Sequence, residues 1–464
     1  LKIPIFSGIK NLKSLLIMLS KIQTMSELQT SGKKIAALLS FGTLLEYFDL
    51  MLYVHMGVLL NELFFEATEP HTAALLSAVG IFLTFAARPL GAYFFGYIGD
   101  NYGRITVLWI TTIMMAIACL VMSVLPTYAQ IGFTASIVMT LCRVIQSLSS
   151  IGEITSCDLY LMETTAPPIQ YPIVGITDIF GALGGTFALG VASLVTMYEF
   201  SWRWAFLFGS CIAIIGFYAR KTLLETSEFS NVQMKINLIM NKFNISRKEA
   251  EKVVLEEPQK PINKKVGTAL FVIQCVFPLY WYFSYIYCGD LLKSTFNYSS
   301  VEVIHNNFIL SFAALFVTTF IYWISYYVNP LKILKVQLVL SSILVLALPF
   351  LLNNLSKPYH LITIQYLVII FAIHGMPAFP IFYKYIPVLK RFKTAGSKYA
   401  WGRVVMFGIT SFGLIYLTNW FGNWGLFSLF AITLICYTIA LNYFLNLESK
   451  TNLNIKAFWK NGNY

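Results

Sequence analysis

Charge is what this chain has least of. Only 12% of its 464 residues are Asp, Glu, Lys or Arg, against about 25% in a soluble globular domain. Acids are the scarcer sign, 21 against 33 bases. That deficit points to a membrane protein and away from a soluble fold. Paired cysteine is also missing. The seven cysteines, at 119, 142, 157, 211, 275, 288 and 436, include no CxxC and sit in or beside apolar runs. They are expected as small core residues, with neither a disulfide frame nor a metal site. No P-loop, GxSxG or HExxH occurs, so nothing marks an ATP-driven pump or a membrane protease, and no cofactor is implied. No small-residue cleavage site follows the basic opening LKIPIFSGIKNLKSLLIMLSKIQT. Met25 is expected as the working start, with the stretch upstream an extension.

What the chain has instead is apolar length. It is 57% hydrophobic, with 38 Phe, 27 Tyr and a mean hydropathy of +0.69. A membrane-crossing helix needs about 20 such residues. Twelve windows qualify: 35–60, 72–98, 105–125, 130–160, 170–197, 202–219, 267–290, 303–327, 333–352, 360–386, 399–419 and 423–445. Six precede a hydrophilic stretch, Arg220 to Lys265, and six follow it. The expectation is an all-α integral membrane protein of twelve helices in two six-helix bundles. Its segments are a tail 1–34, a bundle 35–219, a central loop 220–266, a bundle 267–445 and a tail 446–464. Within the loop, RKEAEKVVLEE has the pattern of a short amphipathic helix.

Basic residues set the orientation. With both termini in the cytoplasm, 27 of the 33 Lys and Arg fall on the cytoplasmic side. Arg203, Lys293 and Lys357 fall outside, and Arg88, Arg143 and Arg403 lie within helices. The arrangement is N-in and C-in. It accounts for the net charge of +12 without a nucleic-acid partner; the partner is the lipid bilayer. The external loop NELFFEATEPH carries acids and no base.

An ionisable group at membrane depth costs roughly 2.5–3.5 kcal/mol on insertion scales, so each is a candidate for function. In the first helix, Glu46 and Asp49 are three residues apart and share a face with Gly42, Tyr53 and Gly57. Two acids there suit a proton or cation site; an ion pair to another helix is the plainer alternative. His55 lies nearly opposite and reads as a packing residue. In the fourth helix, Arg143, Gln146, Ser150 and Glu153 share one face. Arg143 can grip a carboxylate at two points or neutralise Glu46 or Asp49. Asp158 and Glu163, near the cytoplasmic end, read as solvated. The second helix exits through RPLGAYFFGYIGDNYGR. Arg88 is deep, Gly96, Gly99 and Gly103 allow close helix contact, and Asp100 can meet amides at a helix start while Arg104 reaches an acid or carbonyls. Together these read as a cytoplasmic latch. Asp178 is a secondary cavity candidate among glycines placed for packing. Arg403 either snorkels to the inner surface or touches substrate. His374, with Pro377 and Pro380, marks an interrupted helix.

These segments resemble a known family. RPLGAYFFGYIGDNYGR is similar to the helix 2–3 signature of the major facilitator superfamily, and RVIQSLSSIGE resembles its helix 4 signature. GTLLEYFDLMLY, SWRWAFLFG and RKTLLETSEF narrow the resemblance to the metabolite:H+ symporters, with proline/betaine transporters the nearest type. It is specific over roughly residues 40–230. The resemblance implies that Asp100 and Arg104 gate the cytoplasmic side, and that Glu46, Asp49, Arg143 and Glu153 line or couple a central cavity. Asn101, Ile105, Ser147, Tyr326 and Ala400 depart from the family pattern. Tyr326 stands near where the second half usually has its acid, so the second latch is expected to be degraded.

The implied function is secondary active transport, not enzymology. A small polar metabolite enters with protons by alternating access, through a monomer in a bacterial inner membrane. A proline- or betaine-like zwitterion needs both charge signs in the cavity; a di- or tricarboxylate needs the arginine most. A receptor without transport on the same fold is the other class.

Overall fold

The computed structural model describes residues 39–53, 56, 60, 63–65, 85–198, 201–220, 223, 225–256 and 264–460. Met25, His55, Gly57 and the loop acids Glu62, Glu66 and Glu69 lie outside that set. No strand occurs among the described residues. Seven helices there are long and apolar enough to cross a membrane.

A first group comprises α1 (39–53), α2 (Arg88–Tyr102), α3 (Arg104–Val124), α4 (Phe133–Thr164), α5 (Gln170–Tyr198) and α6 (Trp202–Arg220). Two amphipathic helices follow, α7 (Ser227–Phe243) and α8 (Arg247–Glu256). The second group comprises α9 (Lys264–Phe296), α10 (Ser300–Ile324), α11 (Pro330–Asn353), α12 (Pro358–Ile370), α13 (Val388–Gly408), α14 (Leu414–Phe421) and α15 (Asn423–Lys460). A π-helical turn, Ile409–Gly413, joins α13 to α14.

Local chemistry explains the ends. Pro89 opens α2, where its missing N–H is no loss. Gly103 closes α2 with φ +103°, a conformation that a side chain rarely adopts. Glu225 then accepts the Ile105 N–H at 3.2 Å and caps α3. Ser246 and Glu249 form a capping box on α8. There the Ser246 N–H and hydroxyl hold the exposed Glu249 carboxyl below its ordinary value. Ser299 and Glu302 do the same structural work for α10, and Asn329 caps α11.

The outward faces are apolar: Leu90, Phe94, Ile117, Phe316, Trp323, Ile343 and Ile435 are all exposed. Such a surface suits lipid, not water. Cys211 and Cys436 lie on it, which corrects their expected place in the core. The two groups meet where α2 runs along α13 and α5 along α10. Small residues make the approach possible: a Cβ on Gly96 would stand 2.9 Å from Lys393 Cα, and one on Gly99 would enter the Phe392 ring.

The 399–419 window understated its helix. α13 begins eleven residues earlier, at Val388, because its first turns, VLKRFKTAGSK, are charged and leave no apolar signal. The central loop is mostly helix as well: α8 covers RKEAEKVVLE, and α7 precedes it.

Candidate functional site

The Asp100 end of the molecule is held by one buried polar network. Asp100 accepts the backbone N–H groups of Phe392 and Lys393, both at 3.0 Å, in the first turns of α13. Arg104 donates to Gly99 O at 2.7 Å, to Val388 O at 3.2 Å and to Glu163 Oε1 at 2.8 Å. Its guanidinium also lies 4.9 Å from the centre of the Phe229 ring. Glu163 is the hub. The same oxygen accepts Arg391 Nη1 at 3.0 Å, and Oε2 accepts the Thr226 hydroxyl at 2.8 Å. Arg391 reaches on to Glu228 at 2.8 Å.

The network corrects one expectation: Glu163 is not solvated but fully buried. Asp158 is buried too, and accepts the Thr177 hydroxyl at 2.8 Å. Sequence reasoning missed Glu163, Arg391, Thr226 and Glu228. The available signal for Thr226, Glu228 and Arg391 was their presence in RKTLLETSEF and in the basic run before 399; Glu163 was visible only as an acid near the end of the fourth helix. α4 spans ~48 Å at 1.5 Å per residue, well beyond a bilayer core of about 30 Å. Its last turn can therefore stand level with α7.

Further in, the two groups enclose a cavity of about 120 Å³. Tyr47, Arg88, Asp178, Trp281, Tyr399 and Arg403 are among its walls. A smaller chamber of about 50 Å³ lies on the Asp100 side of it, and Tyr47, Asp178, His374, Tyr399 and Arg403 border both. The Tyr47 and Tyr399 hydroxyls meet at 3.1 Å, which ties α1 to α13 between the chambers. Tyr322 donates to Asp178 from α10. Arg403 turns inward, over Phe277 at 5.0 Å and Tyr399 at 4.8 Å. Arg88, grouped with the latch in the sequence, stands here as well, over Phe85 at 4.8 Å and facing Glu46. Phe85 stacks on Phe407 across the two groups at 4.0 Å.

The remaining sequence candidates sit behind this wall. α1 turns Tyr47, Leu50 and Met51 to the cavity and Glu46, Asp49 and Tyr53 toward α3 and α4. Asp49 Oδ1 accepts Cys119 Sγ at 3.3 Å, and Gln146 Nε2 donates to the same sulfur at 3.6 Å. Arg143 donates to Gln146 Oε1 at 2.7 Å and lies 3.9 Å over the Tyr53 ring. Asp49, Tyr53, Arg143 and Gln146 thus form one cluster. Cys119 is its unforeseen member; nothing in the sequence distinguished it. Glu153 accepts the Thr111 hydroxyl at 3.0 Å, and shares a narrow cleft of about 20 Å³ with Glu46 and Ser149. Both Glu46 oxygens are buried without a hydrogen-bond partner among the described residues. Such an arrangement is costly unless the carboxyl takes a proton or a cation approaches it.

At the expected second latch, Tyr326 is exposed on the outer surface and Ala400 is buried. No acid stands at either position.

The helix interruption at His374 is present. α12 stops at Ile370, and the chain resumes with a 3₁₀ turn, Met376–Ala378, and a short helix, Phe379–Tyr383. Pro377 and Pro380 remove two N–H groups that a continuous helix would use. The freed backbone is satisfied from α11: Ser341 donates to Phe371 O at 2.9 Å and Gln337 to Ala372 O at 3.2 Å. Irregular backbone at this depth is tolerated where it borders a cavity, as it does here.

Residues 39–414 match the Major Facilitator Superfamily. A Haemophilus influenzae protein, provisionally named as a metabolite transport protein, is 36% identical over 43% of this chain and 47% of its own length. The proline/betaine transporter of Salmonella typhimurium is 33% identical over 41% of this chain and 39% of its own. The chain therefore spans less than half the length of the curated relatives it matches. Among solved structures, the proton:xylose symporter XylE bound to 6-bromo-6-deoxy-D-glucose superposes with a TM-score of 0.72 at 14% identity, covering 90% of this chain and 96% of that one. The inward-open form of XylE from E. coli gives 0.60 at 13% identity, covering 88% and 95%. At such identities the likeness is one of fold.

Proposed function

Because the chain belongs to the Major Facilitator Superfamily, multi-pass membrane transporters and not enzymes, we propose that it takes up a small zwitterionic metabolite of the proline or betaine kind together with protons. The cavity between the two helix groups carries the proposal: it is narrow, aromatic, and holds both charge signs. A cavity of about 120 Å³ is small, which favours a solute of few heavy atoms. Arg403 and Arg88 supply cations for a carboxylate. Asp178 and the faces of Trp281, Tyr47 and Tyr399 suit a positive nitrogen.

The proton path runs behind the wall. Arg88 borders the cavity and also faces Glu46. A cargo carboxylate that draws Arg88 away leaves Glu46 to be neutralised by a proton, which couples the two events. Asp49, beside Arg143, is the second carrier. The latch closes the end that the basic residues assign to the cytoplasm. In this proposal the chain crosses the membrane twelve times, in bundles 35–219 and 267–445 joined by the loop 220–266. Its tails, 1–34 and 446–464, lie in the cytoplasm, and it works as a monomer in a bacterial inner membrane.

Two guanidinium groups in one cavity favour a dicarboxylate as the second reading. Uptake of labelled proline, betaine and dicarboxylates into proteoliposomes, with and without an imposed pH gradient, separates the readings. Gradient-dependent uptake of the zwitterions is expected. Uptake indifferent to the gradient would overturn symport, and binding without flux would favour a receptor.

A further inference from the structure

His374 belongs to no part of the coupling scheme, yet it is buried at the chain break and borders both chambers. Its ring is oriented from behind. Nδ1 lies 2.9 Å from Ala372 O. Gln337 Nε2 also stands 3.3 Å from Nδ1, but that is the longer contact and the amide already donates to the Ala372 carbonyl. A carbonyl oxygen only accepts, so the tautomer assigned to the neutral ring carries its hydrogen on Nδ1. Gln337 fixes the segment further: its Oε1 accepts the His374 N–H at 3.4 Å, and its Nε2 donates to the same Ala372 carbonyl. With Nδ1 committed, Nε2 is a bare acceptor, and it has no hydrogen-bond partner among the described residues. An acceptor so prepared, on a residue of the cavity wall, is a candidate recognition point.

We propose that His374 Nε2 accepts a hydrogen bond from the cationic nitrogen of the cargo, and so selects nitrogens that still carry an N–H over fully alkylated ones. This rests on the zwitterion reading above. The remaining attraction near the nitrogen is mostly indifferent to an N–H. Asp178 attracts any cation through its charge; Tyr322 takes its Oδ2, and its other oxygen can accept an N–H beside His374. The aromatic faces attract quaternary and protonated nitrogens alike. An acceptor without a partner distinguishes them most sharply, because a cargo with an alkylated nitrogen would cover it and leave it unsatisfied.

The test compares L-proline with N,N-dimethyl-L-proline, which share ring and carboxylate, in proteoliposomes holding the full chain. The variants are His374→Phe, which removes both nitrogens, and His374→Asn, which keeps an N–H near Ala372 O but removes Nε2. In the unaltered protein the half-saturating concentration should be lower for proline. Each variant should raise it about tenfold or more for proline and leave that for the dimethyl cargo within about twofold, a control that the fold survives. Equal losses for both cargoes, or an unchanged ratio, would overturn the role of His374 and leave the zwitterion reading intact. Uptake of a dicarboxylate with neither zwitterion would overturn both.

Discussion

Glu163→Gln is the sharpest perturbation of the latch. The Glu163 and Arg391 side chains, 0% and 7% exposed, form the ion pair that joins the first group to the second, so solvent weakens it little. Breaking a buried pair by removing one charge costs about 3–5 kcal/mol. Glutamine keeps one acceptor oxygen, and Arg391 retains Ile386 O and Glu228. We therefore expect about 2–3 kcal/mol against the closed state, or roughly 30- to 150-fold in the closed-to-open ratio. Glu228→Gln is the contrast. That carboxylate is 45% exposed, and an exposed pair contributes about 1 kcal/mol or less. Spin labels at Tyr102 and Lys332, both exposed at this end on opposite groups, read the difference as a distance distribution. The exposed Cys211 and Cys436 are changed to Ser to avoid stray labelling. The longer distance should gain population in Glu163→Gln and hardly change in Glu228→Gln. If the two variants shift it equally, or neither does, the buried hub is not what holds this end shut.

Asp100→Asn offers one oxygen where two backbone amides now bind, and should slow initial uptake at least fivefold; Tyr326→Phe, at an exposed side chain, should leave it within about twofold. Equal effects would remove the asymmetry between the latches. Asp49→Asn should abolish accumulation driven by a pH gradient, and unchanged accumulation would take Asp49 out of the coupling path. Gly103→Ala would combine a positive φ with a clash into the Glu225 carboxylate that caps α3, for a loss of about 1–3 kcal/mol. Gly132→Ala, also at positive φ but with nothing within 4 Å of the added carbon, should lower the thermal midpoint less.

The sequence by itself determined that the chain is built of long apolar helices and that Gly96 and Gly99 let a helix come close; which helix does so was left to the fold. Apolar length and glycine spacing are local signals, set by 3.6 residues per turn and by the bilayer. It also marked Asp100 for a helix start, Arg104 for acids and carbonyls, and the break at His374, because each follows from a residue beside a turn or a proline. Only the tertiary structure decided which groups meet. Glu163 pairs with Arg104 across 59 positions and with Arg391 across 228, and Asp100 reaches α13 across 292. No periodicity reports contacts of that range. The same limit explains Arg88, which borders the cavity, and Glu46 and Asp49, which face away from it. A helix wheel gives the angle between side chains, but the neighbours that fill each side are chosen by packing.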